Sequence, residues 1–258
     1  MLDTARRSVA TTIPASTIHR IGTDPVNHIA YVTSHEGLLL VDTNTRAATG
    51  SIDVPGNTLD VAVDPETHTG FVVISVAGLG VVDLAARKFG WALEPRPGGV
   101  SDNAAVAADL VSHKVYLATN WDLWILDTAA PIHGDGQIQL DLTSAAVAVD
   151  PTTHLVYVAG TGTGIGELAV ADTTTRTVTA TIPVGQKPSS IAVDPTTHTV
   201  YVTNYDDNTL SVVDATTNTV KATIPVGHKP AGVAVDPTTH TVYVTNYDDG
   251  TLSIITHR

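Results

Sequence analysis

The sequence predicts an all-β fold, a six-bladed β-propeller with four antiparallel strands in each blade. The first observation behind this prediction is a segment of about 42 residues that repeats along the chain, a period typical of propellers. The second is the two-residue alternation of apolar and polar side chains inside each copy, which is the strand period. The third is an N-terminal segment that resembles the strand missing from the last copy.

The repeat is clearest in residues 182–214 and 224–256, which are identical at 25 of 33 positions without a gap. Six copies are recognised by an anchor aspartate, usually followed by proline, and by a turn histidine four residues later. We number the copies one to six by the anchor aspartates Asp24, Asp64, Asp109, Asp150, Asp194 and Asp236. The corresponding turn histidines are His28, His68, His113, His154, His198 and His240.

The turn histidines admit two readings, a ring of metal ligands or a turn residue between the first and second strands. We favour the turn, because turn chemistry alone accounts for the position. The acidic hairpins Asp206–Asp207 and Asp248–Asp249 could in the same way hold Ca²⁺ or Mg²⁺, which prefer oxygen ligands. We interpret them as solvated hairpins, since Asp and Asn are common in tight turns.

Copy five shows how one unit is built. Polar and turn-forming residues separate its four predicted strands. The strands are residues 189–194, 200–203, 210–213 and 220–226.

The two chain ends predict how the ring closes. The chain stops after a third strand at 252–255, and residues 3–14 align without a gap with residues 214–225. We therefore expect residues 7–14 to pair beside the C-terminal strand, so that 1–14 completes the sixth blade, 230–258. This closure makes residues 1–258 a single domain and leaves only short strand edges unpaired.

Composition excludes several functions. The chain has 258 residues, 26 acidic and 13 basic, for a formal charge of −13. That charge argues against a nucleic-acid or anionic-membrane partner. The absence of cysteine excludes disulfides and thiolate chemistry. No signal peptide is visible, which predicts a cytoplasmic protein, with a trimmed secreted domain as the alternative.

The segments Val-Tyr-Val-Thr-Asn at 200–204 and 242–246 follow Ala-Val-Asp-Pro and precede an Asp-Asp hairpin. With this context the chain resembles the YVTN-type β-propeller repeat family, with YncE-like proteins as relatives. The resemblance is strong over 172–258 and weaker before it. It implies a propeller fold, binding or surface roles in many members, and lyase or lactonase chemistry in sister propellers. It transfers no catalytic residue.

Copy one departs from the repeat on the predicted channel-mouth face. His19 and Arg20 stand where copy five has Ser189-Ser190, and His35-Glu36 replaces part of its Asn-Tyr-Asp hairpin. We expect His19 and His35 to approach each other. Histidine is the natural acid–base group at neutral pH, and Glu36 would orient one ring or complete a metal site. The alternative is a set of solvent-facing loop residues.

Further candidates come from copies two to four. Asp60 aligns with Ser190 and is expected to pair with Arg20, either as a structural bridge or as part of an anion clamp. Asp102 and Asn103 end an insertion, 94–103, whose length and Gly/Pro content suggest a mouth loop or a lid. Trp121 is either a mouth aromatic for sugars or planar ligands, or a residue packed between blades. Glu167 ends a Gly-rich hairpin.

Two functions remain open at this stage. One is a module that binds a small molecule or a protein at the channel mouth. The other is a lyase or hydrolase that uses His19 or His35 as general base, with Arg20 holding an anionic group. The sequence requires no cofactor, and a divalent cation stays an option. It contains no Gly-x-Ser-x-Gly elbow and no His-Glu-x-x-His motif.

Overall fold

Strands that follow one another along the chain pair antiparallel, in up-and-down meanders. The computed structural model describes residues 2–3, 8–9, 11–15, 17–75, 77–93, 102–128 and 133–256. The chain divides into two compact units, residues 1–102 and residues 103–258. The described residues contain no helix with the length and apolarity needed to cross a membrane.

The first unit holds two four-stranded sheets and one short ribbon. The ribbon pairs β1 (Leu2–Asp3) with β2 (Ser8–Val9). The sheet of copy one contains β3 (Ile18–Asp24), β4 (Ile29–Ser34), β5 (Gly37–Asp42) and β6 (Ala47–Ile52). The sheet of copy two contains β7 (Thr58–Asp64), β8 (Thr69–Ile74), β9 (Gly78–Asp83) and β10 (Lys88–Leu93).

The second unit holds three sheets. The first has seven strands: β11 (Ala105–Asp109), β12 (Lys114–Ala118), β13 (Asn120–Asp127), β14 (His133–Asp150), β15 (Leu155–Thr161), β16 (Gly166–Asp172) and β17 (Thr177–Pro183). The second has β18 (Pro188–Asp194), β19 (Thr199–Asn204), β20 (Thr209–Asp214) and β21 (Thr219–Pro225). The third has β22 (Pro230–Asp236), β23 (Thr241–Asn246) and β24 (Thr251–Ile255).

The strands of copy five confirm the sequence prediction to within a residue or two, but the boundary between copies three and four differs from it. Strand β14 runs through this boundary and pairs with β13 on one side and β15 on the other. Other copies carry Pro and Gly after the fourth strand, as at Pro183 and Gly185, whereas residues 140–144 contain neither. Without these breakers the strand continues.

The pairing of residues 7–14 beside the C-terminal strand stays a prediction. Ser8 and Val9 pair with Asp3 and Leu2, and the paired neighbour of β24 is β23.

The anchor aspartates and turn histidines form one repeated turn. Each anchor carboxylate accepts a hydrogen bond from the backbone N–H two residues further along, as from Thr196 to Asp194 at 3.0 Å. Each turn histidine has a positive φ, between 49° and 57°. This left-handed geometry closes the turn, so the prediction of a turn residue is confirmed for all six.

In the second unit the turn histidines also link neighbouring copies. His154 Nδ1 lies 2.6 Å from Oδ2 of Asp109, and His240 Nδ1 lies 2.6 Å from Oδ2 of Asp194. His198 reaches Asp150 at 3.3 Å. The three carboxylates are fully buried, so their oxygens need these partners. We name the three contacts the His–Asp clasps.

The YVTN asparagines also have a structural role. Asn204 is fully buried, and its Nδ2 donates to Thr209 and Ser211, each at 2.9 Å. Asn246 repeats this arrangement with Thr251 and Ser253. The preceding Tyr201 is almost fully buried in the core. These motif residues therefore tie the second strand to the third and fill the core.

The clasp at Asp194 predicts a pH-dependent stability. Burial raises the pKa of Asp194, but hydrogen bonds from Thr196 and His240 outweigh it and lower the pKa to about 2. Because the usual pKa is near 3.9, the stabilisation is complete above about pH 4 and is lost as the pH falls toward 2. Asp194→Asn should lower the free energy of unfolding by about 2 kcal/mol at pH 7.

Urea denaturation of wild type and Asp194→Asn at pH 7 and at pH 2.5 checks this. The gap between the two proteins should shrink at the lower pH. A gap of equal size at both pH values would contradict the assignment.

Candidate functional site

The candidate site in the first unit is built on a β-bulge at the start of β3. The pairing of β3 with β4 shifts register between Ile18 and Ile21, which leaves His19 and Arg20 at the irregularity. The hydroxyl of the buried Thr33 makes two hydrogen bonds with the backbone of Arg20. It accepts one from the Arg20 N–H at 2.8 Å and donates one to the Arg20 carbonyl at 3.1 Å. Bulges re-aim side chains, and this one sets the positions of His19 and Arg20.

The second element is the hairpin that joins β4 to β5 and carries His35 and Glu36. Thr58 of copy two is fully buried, and its hydroxyl bonds the N–H and C=O of Ser34 at 2.9 and 2.7 Å. Gly37 closes the hairpin at φ +107°, where a Cβ would collide with the Ile52 carbonyl. The hairpin is therefore fixed by its neighbours rather than loose.

The two histidines meet at this site. The ring centroids of His19 and His35 lie 5.4 Å apart at an interplanar angle of 62°, an edge-to-face arrangement. Both residues are exposed. The distance matches the approach expected from the alignment. A pair of accessible imidazoles can donate to, accept from or shuttle a proton to a bound molecule.

Arg20 and Asp60 approach each other across the two sheets of the first unit. Arg20 Nε lies 4.0 Å from Oδ2 of Asp60, and Asp60 also accepts the Val61 N–H at 2.9 Å. The Asp60 side chain is 11% exposed and that of Arg20 is 33% exposed. This separation is longer than a direct charge-assisted hydrogen bond, which is near 2.8 Å. The arrangement is a loose ion pair between the sheets of copies one and two.

Glu36 is exposed beside His35. Among the described residues, no hydrogen bond joins Glu36 to either imidazole, and no group of three His, Asp or Glu side chains has the geometry of a metal site. The geometry therefore gives no support to a metal held by His19, His35 and Glu36.

The remaining predicted residues occupy separate places. Asp102 accepts a hydrogen bond from Ser75 Oγ at 2.5 Å, and Asn103 is exposed at the start of the second unit. The rest of the predicted lid, 94–101, lies outside the described residues. Trp121 is 51% exposed and is the second residue of β13, next to the turn that follows β12. Glu167 packs against Gly162 of its own hairpin, which indicates a local structural role.

The acidic hairpins use their carboxylates within the fold. Asp207 accepts the Gln186 N–H and Asp249 accepts the His228 N–H, each at 2.7 Å. Asp206 pairs with Lys229 at 2.8 Å. These contacts fit the interpretation as ordinary hairpins.

One cluster on these hairpins was not anticipated from the sequence. The ammonium groups of Lys187 and Lys229 lie 4.7 and 4.8 Å from the centroid of the Tyr205 ring, within cation–π range. The sequence does contain a pattern that points to this cluster, because the pair Lys-Pro recurs at 187–188 and 229–230.

A groove recurs at the same repeat position in both units. In copy one it has a volume of about 440 Å³ and is lined by residues that include Pro14, Glu36 and Ser51. In copy five a groove of about 460 Å³ is lined by the corresponding Pro183 and Thr223 and by Asp207 of the equivalent hairpin. Recurrence indicates a feature that the fold imposes, so we assign the groove no specific function.

The comparisons with known proteins identify the fold. A family model described as "Lactonase, 7-bladed beta-propeller" matches residues 152–258, which is less than half of the chain. No curated protein matches the sequence.

Solved structures extend the likeness to the whole chain. Hydrazine synthase of Kuenenia stuttgartiensis aligns over 96% of this chain and 98% of that chain, with a TM-score of 0.66 and 12% sequence identity. At this identity the likeness shows the fold alone. The fold is an all-β propeller.

The hydroxyl of Thr58 should be essential for the hairpin that carries His35. Thr58→Val leaves the Ser34 N–H without its partner, which should lower the free energy of unfolding by about 1–3 kcal/mol. Thr49→Val is the control, because Thr49 is exposed and its contact to the Leu40 carbonyl is 3.5 Å, so its effect should stay below about 0.5 kcal/mol. Chemical denaturation measures both. Equal effects would show that Thr58 does not fix the hairpin.

Proposed function

We propose that the chain is a six-bladed propeller of the YVTN type that binds a ligand through the loop face at the channel mouth. The His19–His35 pair and Arg20 form the centre of this site. The observation that carries the proposal is the edge-to-face contact of two exposed imidazoles at positions where the regular copies have small or unrelated side chains.

The repeat separates residues that maintain the fold from residues available for function. Residues that recur, such as the anchor aspartates and turn histidines, have structural partners in the turns. His19 and His35 do not recur in this way, and they are exposed. Two imidazoles and a guanidinium favour a small molecule with a carboxylate or phosphate group, because these side chains donate charge-assisted hydrogen bonds.

Thermal shift against a panel of dicarboxylates and phosphate esters tests the proposal. A ligand at a hundredfold excess over its Kd should stabilise the wild type by about 2.7 kcal/mol. His19→Ala and His35→Ala should abolish the shift and change the stability of the free protein by less than about 0.5 kcal/mol. His113→Asn, which keeps a residue suited to the left-handed turn, should retain the shift.

Two results would contradict this proposal. One is a panel in which no compound stabilises the wild type, which would favour a protein partner. The other is a shift that persists in both histidine variants.

A hydrolase is the second candidate, favoured by the match of residues 152–258 to a lactonase family model. In this version one imidazole removes a proton from water, and the water oxygen attacks the carbonyl of a lactone. The ring C–O bond then breaks, and the leaving ring oxygen takes the proton back from the imidazolium as it becomes a hydroxyl. The product is a hydroxy acid, which releases one proton at neutral pH. Arg20 would hold the anionic group of the substrate.

Proton release from a panel of γ- and δ-lactones, followed at constant pH, tests this candidate. Replacing the histidine that serves as general base should slow turnover by about 10²–10⁴-fold. Absence of turnover on every lactone, or rates unaffected by His19→Ala and His35→Ala, would overturn it.

A further inference from the structure

Trp121 has a backbone conformation that is unusual for a bulky residue. Its φ is 72°, in the left-handed region that tryptophan rarely occupies. In the other hairpins that join a second strand to a third, the positive-φ residues are glycine or asparagine: Gly37, Gly78, Gly164, Asn208 and Gly250. Copy three therefore places its largest side chain where the repeat uses its least hindered residues.

The strained turn is held by its neighbours. The Thr119 N–H donates to the Asp122 carbonyl at 2.8 Å, and the Thr119 hydroxyl donates to the same oxygen at 3.2 Å. The fully buried Ser144 donates to the Thr119 carbonyl at 2.7 Å. Strain of this kind persists only where the surrounding structure fixes it, and it concentrates at binding sites.

Packing of the indole does not offset the strain, because half of the residue, 51%, is exposed. A core tryptophan would bury its ring and stabilise the fold by doing so. The exposed ring of Trp121 instead offers an apolar face to solvent.

Two polar side-chain atoms on the strand that carries Trp121 lack partners in the described part of the protein. Asn120 Oδ1 is buried without a hydrogen-bond donor, and Trp124 Nε1 is buried without an acceptor. Buried polar atoms without partners are rare and call for an explanation. Both atoms are enclosed by protein, so they show that the interior of this hairpin is polar and do not themselves contact a ligand.

We propose that Trp121 is the stacking platform of a binding site for a neutral sugar ring. The apolar face of a pyranose would stack on the indole, while its hydroxyls bond polar groups of the same hairpin. The one charged residue within 119–124 is Asp122, and its negative charge disfavours acidic sugars and nucleotides as occupants. This site lies on another element than His19 and His35, in the second unit, and does not depend on the function proposed for them.

Two substitutions at Trp121 separate stacking from strain. Trp121→Ala removes the ring and keeps a Cβ in the left-handed region, whereas Trp121→Gly removes the ring and relieves the strain. We expect Trp121→Gly to melt at a higher temperature than Trp121→Ala and no lower than wild type. Tyr247→Ser is the matched control, because Tyr247 is a 72% exposed aromatic of the equivalent hairpin in copy six with an ordinary φ.

Saturation-transfer NMR with the methyl glycosides of glucose, galactose, mannose and N-acetylglucosamine measures binding. At least one glycoside should bind the wild type and Tyr247→Ser equally, and both Trp121 variants should bind it at least about tenfold more weakly. Failure of every glycoside to bind the wild type would overturn the proposal. So would binding that survives both Trp121 variants, or a Trp121→Gly protein that melts well below wild type.

Discussion

The fold depends on the need to give every buried anchor carboxylate a full set of hydrogen bonds. One oxygen of each anchor organises its own turn, and in the second unit the other oxygen accepts a hydrogen bond from the turn histidine of the next copy. A buried carboxylate without these partners would cost several kcal/mol. The same two residues therefore shape each turn and, in the second unit, join successive copies, which explains why the Asp and His spacing survives in copies that have otherwise diverged.

The anchor aspartates and turn histidines stabilise the turns at one end of the strands. The loops at the opposite end can therefore vary in sequence. There the loops differ between copies: histidines in copy one, a strained tryptophan in copy three, and lysines beside a tyrosine in copies five and six. Each variation stands on a backbone that the fold fixes independently, as Thr33 and Thr58 fix the segments that carry His19 and His35. A rigid backbone that presents different side chains in each copy allows one fold to carry different binding sites.

Much of this could be predicted from the sequence, because the repeat acts as its own reference. The strands of copy five, the turn histidines and the approach of His19 to His35 all followed from aligning one copy on another. The continuous strand β14 was missed because it results from what residues 140–144 lack, namely a Pro or Gly breaker. The His–Asp clasps and the φ of Trp121 were missed because they depend on contacts between copies and on backbone geometry, which alternation of side chains does not encode.

The central claim is that recurring histidines maintain the fold and that the histidines which break the repeat do not. The most direct test is the melting temperature of single His→Asn variants at His154, His198, His240, His19 and His35, measured in one buffer at pH 7. The account predicts a lower melting temperature for the three clasp variants, although asparagine tolerates the turn, and no change at His19 or His35. Destabilisation at His19 and His35 with none at the clasps would contradict it.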